Sequence, residues 1–381
     1  ATLPPGGTTG DLQTVSLQGE YATYPNQPLL IMDGFEIGVQ TMMDLDPDRV
    51  ESITLLKDAS ATAIYGAKAA NGVIVIETKV PEVGRLRVSY GGNVRVETPD
   101  LSDYNLMNAS EKLTVEKMAG FYPEDRELSY LQEYQGYLRE VKRGVNTYWL
   151  SQPLRTAVQH RHALTFEGGD RALRYKLYVG INNSAGVMKG SKRNTQTGTL
   201  DLSYRFDKFL LKNSVTMDNA VGDNSPYGSF REYTLLNPYL RPFDENGNIQ
   251  KIMQVRDIPN QKTELISNPM YNTTFNSKNR NTNFSIRNLF KLEYNPLETI
   301  KLQADISLSK GVGKVETFRP AQHTFFDKMT DPTLKGDFRR VQSENFTYSI
   351  DLTGGYNNVF SSVHYLTLNA RMTLQERNDS Q

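Results

Sequence analysis

The 381-residue chain contains no cysteine. That excludes a disulfide framework, a thiolate metal site and a cysteine nucleophile. It also lacks an excess of either charge, with 43 basic residues against 43 acidic ones. Phosphate backbones are gripped by concentrated positive fields, so nucleic acid is excluded as the main partner. No run of 18 or more apolar residues occurs, and no transmembrane helix is expected. A transmembrane barrel stays open, because its strands show lipid an apolar residue only at every second position. Neither G-x-S-x-G nor H-E-x-x-H is present, so the common serine-hydrolase and zinc-protease signatures are missing. The chain starts at Ala1 without Met and without a charged-then-apolar leader. A leader already removed, or a start well inside a longer protein, is the expectation, with the second favoured.

What is there falls into three textures. Residues 1–80 are rich in Gly, Pro and Ala, with short apolar runs, and read as α/β. Pro28 to Met32 is a short apolar strand, followed by the turn pair Asp33-Gly34. Val50 to Leu56 is a second strand, and Lys57 to Tyr65 a short helix with Asp58 as N-cap and Gly66 as terminator. Asn71-Gly72 makes a turn before Val73 to Ile76, an apolar strand expected to be buried on both faces. Residues 97–158 carry helical patterning. From about 160 onward the chain alternates strand and connection to its end.

Those later strands have period two. Leu173, Tyr175, Leu177, Val179 and Ile181 oppose Arg174, Lys176 and Asn182; Leu200, Leu202, Tyr204 and Phe206 oppose Asp201, Ser203 and Arg205. The pattern recurs in 86–96, 209–218, 284–294, 300–309, 346–353 and 364–374. A soluble β-sandwich would also alternate, with one face in its core. The connections separate the two readings. Short ones are expected at Gly168-Gly169-Asp170, Asp207-Lys208, Asn295-Pro296-Leu297 and Gly354 to Asn358. Long ones are expected near 97–160, 184–196, 219–283 and 310–342. Strict alternation of short and long puts all long loops at one end, which favours a transmembrane barrel.

Several small motifs have plain readings. Gly311-Val312-Gly313-Lys314 lacks the spacing and following Ser or Thr of a phosphate loop. His160 and His162 share a strand face, but only His323 and His364 remain as further histidine ligands. Asp244 to Asn248 has Ile249 where a calcium loop needs Gly, so Asn246-Gly247 reads as a hairpin turn. No metal and no cofactor is expected. Tyr227, Phe230, Tyr233, Tyr239 and Phe243 could line an extracellular binding surface by stacking on sugar rings or packing on peptide side chains; loop packing or an aromatic girdle is the alternative.

The segment 28–79, PLLIMDGFEIG followed by DLDPDRVESITLLKDASATAIYGAKAANGVIVIETK, closely resembles the C-terminal half of the plug of SusC/RagA-like TonB-dependent transporters. The features that carry the likeness are Asp33-Gly34, Leu56-Lys57-Asp58-Ala59, Ala63-Ile64-Tyr65-Gly66, Asn71-Gly72 and Thr78-Lys79. Residues 146–170 and 226–249 resemble the family's entry to an early barrel strand and a long-loop segment. VSLQGE at 15–20 departs from the family, which usually has Arg-Gly there. The resemblance implies a Gram-negative outer-membrane protein with a small α/β plug (1–80) inside the lumen of an all-β transmembrane barrel. Residues 81–381 would supply about nine antiparallel strands of 22, so they cannot close the barrel alone. It further implies TonB-dependent import of oligosaccharides or peptides without covalent catalysis, under a SusD-like surface lipoprotein lid. TonB would act through a segment not present in this chain. The plug-motif residues Asp33, Gly34, Lys57, Asp58, Ala59, Tyr65, Gly66, Asn71 and Gly72 would serve structure or gating, with Lys57 able to pair with a barrel carboxylate. Arg174, Lys176, Asp201, Arg205, Lys301 and Asp305 would face the plug, and the apolar side would face lipid. A non-transporting surface scaffold and a soluble β-rich glycan-processing enzyme are the rival readings; the latter needs a pair of carboxylates at strand ends, and none stands out.

Overall fold

The computed structural model describes residues 28–57, 65, 69, 71–123, 128–256, 264–360 and 364–380. Asp58, Ala59, Gly66, most of the expected 57–65 helix and the 15–20 segment lie outside the described residues.

The first unit is a four-stranded sheet in the order β2-β1-β4-β3. β1 (Leu29–Met32) and β2 (Phe35–Glu36) form a hairpin through Asp33 and Gly34, at φ 51° and 95°. Two successive positive φ values suit the right-handed twist of a tight hairpin, which is why Gly is needed there. β3 (Val50–Leu56) and β4 (Val73–Thr78) complete the sheet, β4 running parallel to β1 and antiparallel to β3. Central β4 is the most apolar strand, with Val73 and Ile76 essentially inaccessible, as its unbroken apolar run predicts. Leu30, Met32, Ile74 and Ile76 pack one face against α1 (Val39–Asp44), through Val39 and Met42. Ile31, Val73, Leu56 and Tyr65 cover the other.

The second unit is a nine-stranded antiparallel sheet whose neighbours follow chain order. Its strands are β5 (Gly84–Glu97), β6 (Ala157–Gly169), β7 (Leu173–Ala185), β8 (Lys192–Phe206) and β9 (Phe209–Asp223), then β12 (Lys278–Leu297), β13 (Ile300–Arg319), β14 (Asp337–Phe360) and β15 (His364–Ser380). A separate hairpin, β10 (Ile252–Arg256) with β11 (Glu264–Ser267), sits in the connection between β9 and β12. The side chains facing the plug are polar, while Leu173, Leu177, Val179, Leu200, Leu202, Leu302 and Leu308 stand exposed on the opposite face. A row of exposed leucines across adjacent strands suits lipid and not water.

Three expectations about connections are corrected: the short turn expected at Asn295-Pro296-Leu297 falls instead on Glu298-Thr299, because β12 runs to Leu297. The 184–196 loop shrinks to six residues, 186–191, because β7 runs to Ala185 and β8 starts at Lys192. Strand ends above the apolar band alternate polar with polar, so they carry no hydrophobic signal. Gly354 to Asn358 is not a turn. It lies inside β14, with Gly354 paired to Leu302 on one side and Ala370 on the other. Ladder pairing on both edges overrides the local turn preference. The strands overall outrun their alternating segments, and the long connections reduce to 98–156, 224–277 and 320–336.

Candidate plug–wall contact and loop body

The densest polar contact between the two units is made by Asp44-Leu45-Asp46-Pro47-Asp48-Arg49. Asp46 caps the short 3-10 turn Pro47–Arg49 by accepting from the Asp48 amide at 2.9 Å. Proline suits the turn's first position, where no amide donor is needed. This geometry sets three carboxylates toward the wall. Asp44 takes a two-pronged contact from Arg193, Nε at 3.0 Å and Nη2 at 2.6 Å. Arg161 bridges two of them, with Nη1 on Asp46 and Nη2 on Asp48 at 2.8 Å. The second Asp46 oxygen accepts from the Tyr178 hydroxyl at 2.5 Å. Arg49 lays its guanidinium over the Tyr178 ring, 4.9 Å from the centroid. Asp46, Arg49 and Tyr178 are all buried. Two-pronged Arg–carboxylate contacts fix orientation as well as charge, so the turn is held in one pose.

Two further anchors follow the plug sheet. Lys176 donates to the Lys79 carbonyl at 2.9 Å, and Arg174 to the Pro81 carbonyl at 3.5 Å. Of the six expected plug-facing residues these two reach the segment leaving the plug. Asp201 is held by the Ser214 hydroxyl at 2.5 Å, Lys301 pairs with Glu293 at 3.1 Å, Asp305 accepts from Gln303 at 2.6 Å, and Arg205 is exposed.

The plug-motif residues do a different task. Asp33 accepts from the Thr78 amide and hydroxyl, both at 2.8 Å, tying the hairpin to the end of β4. Gly34 completes that hairpin at positive φ. Tyr65 packs against the lower core, and Gly72, at φ 91°, accepts from the Leu29 amide after the Asn71 turn. Lys57 is exposed at the end of β3. These residues build the plug, and the contact with the wall runs through 44–49. Sequence reasoning missed that turn; carboxylates at every second position before an Arg, in an otherwise apolar plug, were the available signal. The matching cations, Arg161 and Arg193, occupy plug-facing positions of β6 and β8.

The long connections form one packed body. α2 (Ala109–Met118) and α3 (Leu128–Lys142) from the first meet α4 (Phe230–Thr234) from the second. Leu113, Tyr122, Trp149, Tyr233, Tyr239 and Met270 make the core. Glu116 is buried, accepting from the hydroxyls of Tyr122 at 3.0 Å and Tyr239 at 2.9 Å. Burial pushes all three tyrosines Tyr122, Tyr233 and Tyr239 above their ordinary pKa, so they stay hydrogen-bond donors. The third connection joins through Thr324 on Asn272 and Asp327 on Ser267 and Lys251.

Tyr233 and Tyr239 take the loop-packing alternative for the aromatic residues. Both are core, each 1% exposed, because a loop body of this size needs large side chains to exclude water. Tyr227 is half-buried on that core and accepts the Tyr233 hydroxyl at its carbonyl; Phe230 packs edge-on to Tyr104. Phe243 alone of the five is exposed. Asp244 to Asn248 closes as a turn around the Asp244 carboxylate, with Gly247 at φ 82°. Hydrogen bonds from its own loop hold that carboxyl below its usual pKa. Among the described residues no cluster of three or more potential metal ligands occurs.

Comparison with known proteins bears on the same two units. Residues 2–73 match the model of the TonB-dependent Receptor Plug Domain. The chain is 30% identical over 228 residues to the TonB-dependent receptor SusC of Bacteroides thetaiotaomicron, covering 57% of this chain and 21% of that protein. It is 24% identical over 401 residues to the TonB-dependent receptor P39 of Formosa agariphila, covering 97% of this chain and 37% of the relative. The fold matches the RagAB peptide transporter with a TM-score of 0.71 at 20% identity, over 92% of this chain and 41% of that one. The chain therefore spans well under half the length of these relatives.

Proposed function

Since this chain belongs to the SusC/RagA-like TonB-dependent receptors of the Gram-negative outer membrane, we propose that the whole protein imports oligosaccharides or peptides through its barrel, by displacement of the plug. The observation that carries the reading is the charged contact at 44–49. A plug held by an apolar interface would need broad separation to release. One held by a few charged hydrogen bonds releases over a small displacement, because their geometry is strict and water solvates the separated charges once the turn has left the wall. Arg161 and Arg193 hold the turn until pulling through TonB shifts it. A SusD-like lipoprotein would cover the loop body and retain the ligand. Peptide cargo is supported by the fold match to a peptide transporter; oligosaccharide cargo is the alternative that the sequence resemblance implies.

The test locks the contact. With no native cysteine in this chain, Asp44→Cys and Arg193→Cys in the full-length protein can be joined by a short dithiol-reactive cross-linker. The joined protein should lose uptake of the ligand down to the level of a deletion strain, while each single variant keeps it. Normal uptake by the joined protein would overturn plug displacement at this place and favour a binding or scaffold role.

A further inference from the structure

The outward face of the sheet carries charges that the plug contact does not use. Five residues stand in direct register across five neighbouring strands: Lys192 opposite Asp223, Asp223 opposite Arg280, Arg280 opposite Glu316, and Glu316 opposite Arg340. Arg193, which grips the plug, is next in sequence to Lys192 and lies in the adjacent row. Strand side chains alternate, so the row of five points away from the lumen. Lys278 and Lys314 flank Glu316 at 2.5 and 3.0 Å, and Arg280 takes Asp223 in two contacts of 2.6 and 3.0 Å. A further pair, Lys310 with Glu344 at 3.9 Å, adds no net charge.

Height places this row. Phe209 stacks on Tyr294 at 4.4 Å, at the short-turn end of the sheet. At ~3.4 Å per residue and a tilt of ~40°, Asp223 stands roughly 35 Å above that ring pair, beyond an apolar band of about 25 Å. The row is therefore level with the outer-leaflet headgroups. Within it the carboxylates are shielded, Asp223 at 18% and Glu316 at 13% side-chain exposure, whereas Lys192 and Arg340 show 54% and 52%. Two recessed anions brace five cations, and the surplus positive charge faces outward.

We propose that this row is a binding site for the phosphorylated headgroup of an outer-leaflet lipid. Guanidinium edges and ammonium groups braced from behind offer donors in the fork-like arrangement that phosphate oxygens accept. One position farther out, Phe318 and Phe338 stand directly opposite each other and exposed. That apolar rim suits a bulky headgroup bearing sugar rings and gives nothing to a free phosphate ion. The site rests on the outer-membrane placement and is independent of the cargo.

The test uses the full-length protein in detergent, titrated with a phosphorylated glycolipid, its dephosphorylated form and inorganic phosphate, with bound lipid counted by native mass spectrometry. The phosphorylated lipid should bind at least about tenfold more tightly than the dephosphorylated one, since each nearby cation contributes about a several-fold factor. Lys192→Gln/Arg280→Gln/Arg340→Gln should abolish that preference. Asp223→Asn/Glu316→Gln should strengthen it, the opposite of what a merely structural network predicts. Heat-modifiable gel mobility confirms that both variants are folded. Equal retention of the two lipids, an unchanged preference in the cation variant, displacement of the lipid by inorganic phosphate, or a charge-dependent dimer in place of lipid would each overturn the assignment. Ligand uptake is scored separately, so loss of transport and loss of lipid binding are told apart.

Discussion

Arg161 reaches two carboxylates of a single turn, and one of these, Asp46, also takes the Tyr178 hydroxyl. Asp46 has almost no solvent to fall back on. Arg161→Gln leaves that buried carboxylate without its cation, a loss of about 3–5 kcal/mol in plug–wall stability by the precedent of broken buried pairs. Limited proteolysis of the 44–49 region in the folded protein should show it, as faster cleavage than in wild type. A second residue carries a pH response. His323 is half-buried beside Phe275 and Phe326, and its Nδ1 accepts from the Phe325 amide at 3.0 Å. Burial, then neighbouring Arg319, holds its pKa below the usual imidazole value, against the opposing pull of Asp337 and Asp327; Lys251 adds to the lowering. The opened loop thus takes up a proton that the closed loop resists. Stability contributed here is complete above the ordinary imidazole range and falls as pH drops through about 6.5 toward the folded value. Amide exchange in 320–336 should accelerate on acidification, and His323→Asn, which retains the capping acceptor, should remove the dependence.

Elements show where the chain was readable. The β1–β2 hairpin, β3 and β4 follow directly from apolar runs bounded by Asp33-Gly34 and Asn71-Gly72, because each rests on local rules of turn and alternation. The barrel strands were legible only through their apolar halves; β13 alternates Leu302, Ala304, Ile306 and Leu308, then continues through Lys310, Lys314 and Glu316, where no hydrophobic period remains. Gly354-Gly355 misled because pairing with β13 and β15 is a tertiary fact. The carboxylates of 44–49 were there to be read, but their partners were hidden for the same reason: Arg161 and Arg193 lie more than a hundred residues away. The aromatic segment 226–243 showed its composition but not its direction. Tyr239 belongs to the loop core, where its hydroxyl satisfies Glu116 from α2. Tyr239→Phe leaves that buried carboxylate short of a donor, about 1–3 kcal/mol. Amide exchange should rise in 98–156 and in 224–277 together, whereas a local packing defect would raise it in the second alone.

At the scale of the whole molecule, alternation of short and long connections was the informative signal, since it says at which end the chain spends its length. The open nine-stranded sheet and the plug sheet are joined by a five-residue connection, 79–83, and by the hydrogen bonds that Lys176 and Arg174 donate to the Lys79 and Pro81 carbonyls. Plug and wall are thus one chain held mainly by ions on one side, with apolar surface turned outward on the other. That division suits the plug displacement proposed above.

The interlocked loops have a consequence for whatever binds this end of the sheet. Because Trp149 donates to the Asn237 carbonyl, Asn272 to Thr324 and Tyr239 to Glu116, the surface of this loop body is assembled from three distant stretches. An antibody gripping it reads a discontinuous epitope. Linear peptides copied from any one stretch would be poor immunogens, and escape by substitution in one stretch is constrained by its contacts with the other two.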